Sequence, residues 1–222
     1  MRVSSELYNF AFKLKDNSFN HNIQAMIITI ARQAGCGALH VGEKLARHYG
    51  VPFYTRQNLR DMAERKGMLA EMDDFFEERP VDELMFAISN DYADSTGKKH
   101  ERTLAILAEM IGQENCIIIG RCGNYIFRER KDLVSVFLKG DLELRVRNIA
   151  AEEHLTVAEA RDFVQEQDDH RMTYHKYHTG LTWGNADDYD LCIDSCRLSA
   201  DDTAQLIETY VGCIGLQVEP SK

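Results

Sequence analysis

Short apolar runs alternate with amphipathic segments along this chain. Each run is continuous and rich in β-branched residues, which is typical of strands that are covered on both faces of a parallel sheet. Since helical periodicity separates most of the runs, the pattern predicts an α/β fold: a three-layer domain with a five-stranded, mostly parallel sheet. The predicted strands cover residues 26–30, 51–54, 116–120, 133–138 and 189–194.

The first helix shows how the boundaries are predicted. Val41, Leu45 and Tyr49 recur at helical spacing, and Gly50 with Pro52 ends the helix. Possible capping residues start three later helices, at Thr55, at Thr156 with Glu159, and at Ser199. The further predicted helices cover residues 55–67, 77–93, 101–113, 141–154, 156–178 and 199–214, and residues 94–100 form a polar link between two of them.

Composition restricts the class of protein. A chain of 222 residues with 44% hydrophobic residues is long enough for one large core. We expect one large domain over residues 25–222, a helical appendage over residues 1–24, and no membrane span, because no apolar run approaches roughly 20 residues. The six cysteines form no CxxC pair, so reduced thiols and a cytoplasmic location are expected. A homo-oligomer is not excluded.

Charge argues against one kind of partner. The formal net charge of −10 repels a nucleic-acid backbone, and no Lys/Arg run offsets it locally. A small phosphorylated ligand, which needs only a few arginines and backbone amides, is compatible with an acidic chain.

The turn after the first strand resembles a degenerate phosphate-binding loop. Aligned with GxxxxGK[ST], the stretch RQAGCGAL has Arg32 at the first glycine, Ala38 at the lysine and Leu39 at the hydroxyl position. Gly35 and Gly37 still permit an anion-binding backbone nest at a helix N-terminus. The alternative is a tight turn with no ligand. The candidate nucleotide phosphate-binding residues of this turn are Gly35, Cys36, Gly37, Ala38 and Leu39.

Arginines elsewhere in the chain strengthen the phosphate hypothesis. Arg32 lies beside the turn, Arg121 follows the strand at 116–120, and Arg171 lies in a late helix. Because ligands bind at the carboxyl ends of parallel strands, we expect these guanidinium groups to converge there.

The helix with Arg171 predicts a lid over about residues 155–185. Helical spacing places five polar side chains on one face, and such a face over a phosphate site would exclude water. The alternative is an ordinary solvated surface. The five residues are Arg161, Asp168, Arg171, His175 and His178.

Several segments together resemble the cytidylate kinase-like family of bacterial P-loop proteins. The segments are ITIARQAGCGALHVGEKLARHYGVPFY, IIIGRCGNYIF, DLVSVFLKGDLELRVRNI, EQDDHRMTYHKYHTGLTWG and YDLCIDSCRLS. The resemblance extends in order from about residue 26 to residue 213. It implies a nucleoside monophosphate kinase architecture, in which the loop binds ATP or another nucleoside triphosphate with Mg²⁺.

The resemblance also implies residue roles. Gly120 and Arg121 match the pair that helps to bind the acceptor phosphate, and Arg145 matches an arginine that binds nucleotide phosphate. Our hypothesis is therefore phosphoryl transfer to a small acceptor, such as CMP or another monophosphate. Its catalytic residues are Arg32, Arg121 and Arg171, and its acceptor-binding residues are Tyr54, Arg60 and Arg121.

Four positions depart from true cytidylate kinases: Ala31, Ala38, Leu39 and Cys122 replace groups that would contact phosphate or organise Mg²⁺. The metal ligand is unassigned, with Asp61, Asp168, Asp169 or solvent as candidates. A non-catalytic nucleotide-sensing or scaffolding protein is therefore the main alternative. A module that binds another anion is a weaker one.

Overall fold

A five-stranded parallel sheet organises the domain. The computed structural model describes residues 26–76 and 93–216, so the predicted appendage lies outside the described residues. The strand order is β2-β3-β1-β4-β5, and all four neighbouring pairs are parallel, which confirms the predicted fold class. The strands are β1 (Ile27–Arg32), β2 (Phe53–Tyr54), β3 (Cys116–Ile119), β4 (Leu133–Lys139) and β5 (Leu191–Asp194).

Helices lie between the strands in the predicted order. Their bounds are α1 (Ala38–Tyr49), α2 (Arg56–Arg65), α3 (Leu69–Phe76), α4 (Ala93–Ile111), α5 (Gly123–Ile126), α6 (Leu142–Glu152), α7 (Val157–Thr179) and α8 (Ala200–Cys213). The caps of α2, α7 and α8 are confirmed, because the side chains of Thr55, Thr156 and Ser199 each accept a backbone N–H three residues on.

Two predictions about the region before β3 were wrong or incomplete. Residues 94–100 were predicted as a polar link, but they belong to the first turns of α4. Polarity does not prevent backbone hydrogen bonding, and one glycine costs a helix only about 1 kcal/mol. Helix α3 was not predicted at all. The helix predicted over residues 77–93 lies almost entirely outside the described residues.

The sheet separates two apolar layers. Ile28 and Ile30 of β1 pack with α1 and α8, while Ile27 packs with α2, α3 and α4 on the opposite face. Successive strand residues point to opposite faces, which explains why a continuous apolar run was needed here. A third cluster joins α6 to α7 through Val146 and Val164. Among the described helices, none is both long and apolar enough to cross a bilayer.

Candidate functional site

The turn between β1 and α1 has the predicted backbone shape. Gly35 and Gly37 have φ angles of +79° and +65°, and Gly37 is the N-cap of α1. No side chain caps this helix, and its first turn carries no acidic residue. The N-terminal amides of α1 therefore lack the side-chain acceptor that satisfies such groups in most helices.

The loop carbonyls determine where the loop amides point. Asn148 donates a hydrogen bond to the Gly35 oxygen at 2.9 Å, and Ser195 Oγ donates to the Cys36 oxygen at 3.0 Å. In a planar trans peptide the N–H of the next residue points the opposite way. The amides of Cys36 and Gly37 therefore point away from α6 and from the 3-10 turn at Ser195–Arg197, as an anion nest requires.

The two glycines serve different purposes. A Cβ at position 35 would lie 2.5 Å from the Arg145 oxygen, so Gly35 lets the loop pack directly on α6. A Cβ at position 37 would meet no atom within 4 Å. The tight-turn interpretation thus has a physical basis at Gly35, whereas Gly37 borders open space where a ligand could approach.

Arg145 holds the loop from behind. Its guanidinium pairs with Asp168 of α7 at 2.5 Å and donates to the Gly140 oxygen at 3.0 Å, while the Ala34 N–H donates to the same carboxylate at 2.7 Å. The Arg145 side chain is buried. This geometry does not favour the predicted phosphate contact, because the donors of Arg145 face the scaffold. We call Arg145, Asp168 and the Ala34 amide the clamp.

Three predicted arginines line one cleft at the carboxyl ends of β1 and β3. Arg32, Arg121 and Arg171 converge there from different elements, around about 40 Å³ of open volume. The Arg32 guanidinium packs on Gly120, where a Cβ would lie 2.5 Å from its Nη1 atom. The other lining residues are Ala31, Gly120, Cys122, Asn124, His170, Tyr174, His175 and Trp183.

Arg121 joins two helices at this cleft. It is buried, has a positive φ of 55°, and donates to the Phe75 oxygen of α3 at 2.7 Å. The centre of its guanidinium lies 4.7 Å from the Tyr174 ring of α7, and the Tyr174 hydroxyl donates to the same Phe75 oxygen at 3.0 Å. An uncommon backbone conformation persists because these contacts hold it.

The polar face of α7 is not a solvated surface, so that alternative is wrong for most of its residues. His175 and His178 are buried, and Asp168 belongs to the clamp. Arg171 lies in the cleft, 3.5 Å from Asp168. Only Arg161, paired with Glu143 of α6, is exposed to solvent on the outer part of the helix.

The structure does not bring two predicted acceptor residues to the cleft. Tyr54 is buried in the α2–α4 layer and donates to Glu114 at 2.8 Å, and burial raises the pKa of its hydroxyl. Side chains alternate between the two faces of the sheet along β2, and this alternation points the Tyr54 side chain into the α2–α4 layer. Arg60 is half-buried on α2 and does not line the cleft.

Sequence reasoning missed three polar lining residues, namely Asn124, His170 and Tyr174. His170 and Tyr174 are four residues apart, each one place before a member of the recognised face of α7. Widening that face by one position would have found both.

The described carboxylates do not fit an Mg²⁺ site. Asp168 is held in the clamp, Asp169 is exposed, and Asp61 accepts a hydrogen bond from Gln57 on α2. Among the side chains that the structure describes, no group of three or more His, Cys, Asp or Glu could hold a metal ion.

The chain is similar to known proteins over most of its length. The sequence model of the cytidylate kinase-like family matches residues 27–197. A cytidylate kinase from Methanopyrus kandleri is 27% identical over 84% of this chain and 93% of its own length. A cytidylate kinase from Methanobrevibacter smithii is 30% identical over 85% of this chain and all of its own.

Solved structures share the fold. A protein of Eubacterium ventriosum, titled as uncharacterized, aligns with a TM-score of 0.66 at 24% identity, over 86% of this chain and 99% of its own. A gluconokinase from Sinorhizobium meliloti aligns with a TM-score of 0.52 at 14% identity, over 86% and 93% of the two chains. At these identities the likeness concerns the fold alone.

Proposed function

Because this chain belongs to the cytidylate kinase-like family, we propose that it is a nucleotide-binding kinase that transfers a phosphoryl group from a nucleoside triphosphate to a small acceptor. The donor is ATP or another nucleoside triphosphate, and CMP or another nucleoside monophosphate is the first acceptor to test. The observation that carries the proposal is the convergence of Arg32, Arg121 and Arg171 in one cleft, whose lining includes Ala31 and Arg32 just before the loop in sequence. Such a protein would act in the cytoplasm, where these nucleotides occur.

The geometry supports a division of labour between loop and cleft. The amides of Cys36, Gly37 and the first turn of α1 would bind the triphosphate of the donor. The cleft arginines would bind the acceptor phosphate and neutralise the charge of the group transferred to it, which is the main task in phosphoryl transfer. Arginine keeps its charge at any working pH, so it can replace the charge of the absent loop lysine. An acceptor phosphate is already ionised at pH 7 and needs no general base.

An ADP-release assay with ATP, Mg²⁺ and a panel of nucleoside monophosphates tests the proposal. We expect turnover with at least one monophosphate. Arg32→Gln should lower kcat/KM by roughly 10²- to 10³-fold, since one preorganised charged group is lost. Arg128→Gln is the matched control, because Arg128 lies outside the cleft and stacks on Tyr125. If neither the wild type nor any variant turns over a monophosphate, kinase activity is refuted.

The second candidate is a nucleotide-sensing or scaffolding protein without transfer. Ala38 and Leu39 favour it, because α1 begins without the lysine and hydroxyl that a P-loop carries there. Calorimetry with nucleoside triphosphates separates the candidates. Triphosphate binding without turnover supports the sensor, and binding of inorganic anions but no nucleotide supports an anion-binding module.

A further inference from the structure

His175 is a buried polar residue at the cleft that the phosphoryl-transfer scheme does not use. Only 3% of its surface is exposed, and it lines the cleft with Arg32, Arg121 and Arg171. Its Nε2 atom is buried and has no hydrogen-bond partner among the described residues. A buried polar atom without a partner costs about 1–3 kcal/mol, so its retention suggests a partner that arrives with a ligand.

The dimensions and charge of the cleft restrict that ligand. About 40 Å³ corresponds to roughly three water molecules, whereas pockets for whole drug-sized ligands measure about 300–1,000 Å³. A phosphoryl group fits this volume, and the rest of its carrier would extend outside. Three guanidinium groups at one cleft favour an anionic ligand.

The donors reach the cleft from different parts of the fold. Arg32 comes from β1, Arg121 from the turn after β3, and Arg171 with His175 from α7. Donors that converge from several directions suit the tetrahedral oxygens of a phosphoryl group better than the coplanar oxygens of a carboxylate.

Burial favours the neutral form of the imidazole in the ligand-free state. Burial lowers the pKa of His175, and Asp188 opposes this shift. The charged or titratable groups around it are Arg32, Arg121, Cys122, His170, Arg171 and Tyr174 at the cleft and Asp188 in the 3-10 turn at Ala186–Asp188. A neutral imidazole offers one N–H donor without another positive charge.

We propose that His175 is a specificity-determining residue of this cleft, whose Nε2–H donates a hydrogen bond to the phosphoryl group of a phosphate monoester held by Arg32, Arg121 and Arg171. The identification of that group with the acceptor phosphate rests on the proposed kinase function. The hydrogen bond itself requires only that the cleft binds phosphate.

NMR of the histidine ring nitrogens in the whole chain, recorded during a titration with inorganic phosphate, tests the proposal. Phosphate should shift the Nε2 resonance of His175 and raise its pKa, because a nearby anion favours the imidazolium. His175→Phe should weaken phosphate binding by about tenfold. His175→Gln keeps an N–H donor but cannot titrate, so it should bind phosphate nearly as well as the wild type. His48→Phe, an exposed site on α1, is the matched control.

The pH dependence separates a direct contact from a structural role. Phosphate would raise the pKa of His175 above its value in the free protein. As the pH falls from the higher of these two pKa values to the lower, the wild type should therefore bind phosphate increasingly tightly relative to His175→Gln. Because phosphate ionises identically in both titrations, its own ionisation cancels in the ratio of the two affinities. An identical pH profile in both proteins, or an unmoved His175 resonance at saturation, overturns the proposal.

The two proposals fail in different ways. A phosphate-dependent shift of His175 without turnover of any monophosphate leaves this inference standing and removes the kinase function. Turnover of a monophosphate without any phosphate-dependent shift of His175 leaves the kinase function standing and removes this inference. If His175→Phe does not fold, the wild-type titration and His175→Gln still decide the question.

Discussion

Single residues set the shape of the phosphate loop. Gly35 and Gly37 both have a positive φ, but only Gly35 lies against backbone. A Cβ at position 35 would lie 2.5 Å from the Arg145 oxygen. Cys36 between them is buried, and its Sγ lies 3.8 Å from Cys196 Sγ. The loop is thus fixed by its scaffold on one side and open on the other.

The glycine pair gives a prediction with its own control. Gly37→Ala should lower the free energy of unfolding by about 1–2 kcal/mol, the cost of a left-handed residue alone. Gly35→Ala adds a collision with backbone and should cost about 2–5 kcal/mol. Equilibrium urea unfolding measures both. Equal losses would show that the contact with α6 does not constrain the loop.

Thiol reactivity gives a second prediction at this scale. Burial, helped by neighbouring Cys196, raises the pKa of Cys36 to about 12. At pH 7.5 its thiolate fraction should be roughly 10³-fold below that of an ordinary cysteine, and the thiolate is the reactive species.

Alkylation by iodoacetamide followed by mass spectrometry measures the difference. The exposed Cys213 should be modified early and the buried Cys36 far more slowly, and unfolding in urea should equalise them. Equal rates in the folded protein would contradict the burial of Cys36.

At the scale of elements, helix α7 connects loop and cleft. Its Asp168 accepts from the Ala34 amide and pairs with Arg145, while Arg171 and His175 line the cleft one and two turns further on. Tyr174 connects the same helix to α3 through the Phe75 oxygen. A movement of α7 would therefore affect both halves of the proposed site.

Removal of the clamp charge tests this connection. Asp168→Asn keeps an acceptor for the Ala34 amide but leaves the buried Arg145 without a counter-charge, which should lower the free energy of unfolding by about 3 kcal/mol. Triphosphate affinity should fall with it. Arg161→Gln, in the exposed pair on the same helix, should change stability very little. Urea unfolding and calorimetry give both quantities, and equal effects of the two substitutions would refute the clamp.

At the scale of the whole molecule, charge is distributed unevenly. The chain carries a formal net charge of −10, yet three arginines converge in one small cleft. Such an arrangement favours a small anion that enters the cleft and disfavours an extended polyanion along the surface.

The expected outcome is selective binding. At about 150 mM salt, mixed-sequence DNA and RNA should not be retained in a mobility-shift assay at protein concentrations up to roughly 10⁻⁴ M, the weak end of non-specific binding. Nucleoside triphosphates should bind under the same conditions, by calorimetry. Retention of nucleic acid would require a basic surface that the sequence does not suggest.

The sequence by itself determined the five strands, most of the helices and their order. Apolar runs, the glycines at 35, 37 and 50, and the caps at Thr55, Thr156 and Ser199 act on neighbouring residues, so they are readable locally. The general rule for parallel sheets then predicted that arginines after different strands would meet at one edge, which they do.

Only the tertiary structure decided which way individual side chains point. Arg145 binds Asp168, 23 residues away, instead of facing the proposed phosphate. Arg121 binds a carbonyl 46 residues away, and Tyr54 points to Glu114. Periodicity places a residue on a face, but its partner depends on packing between segments distant in sequence. For the same reason, the buried and unpaired Nε2 of His175 became visible only once α7 was packed on its neighbouring elements.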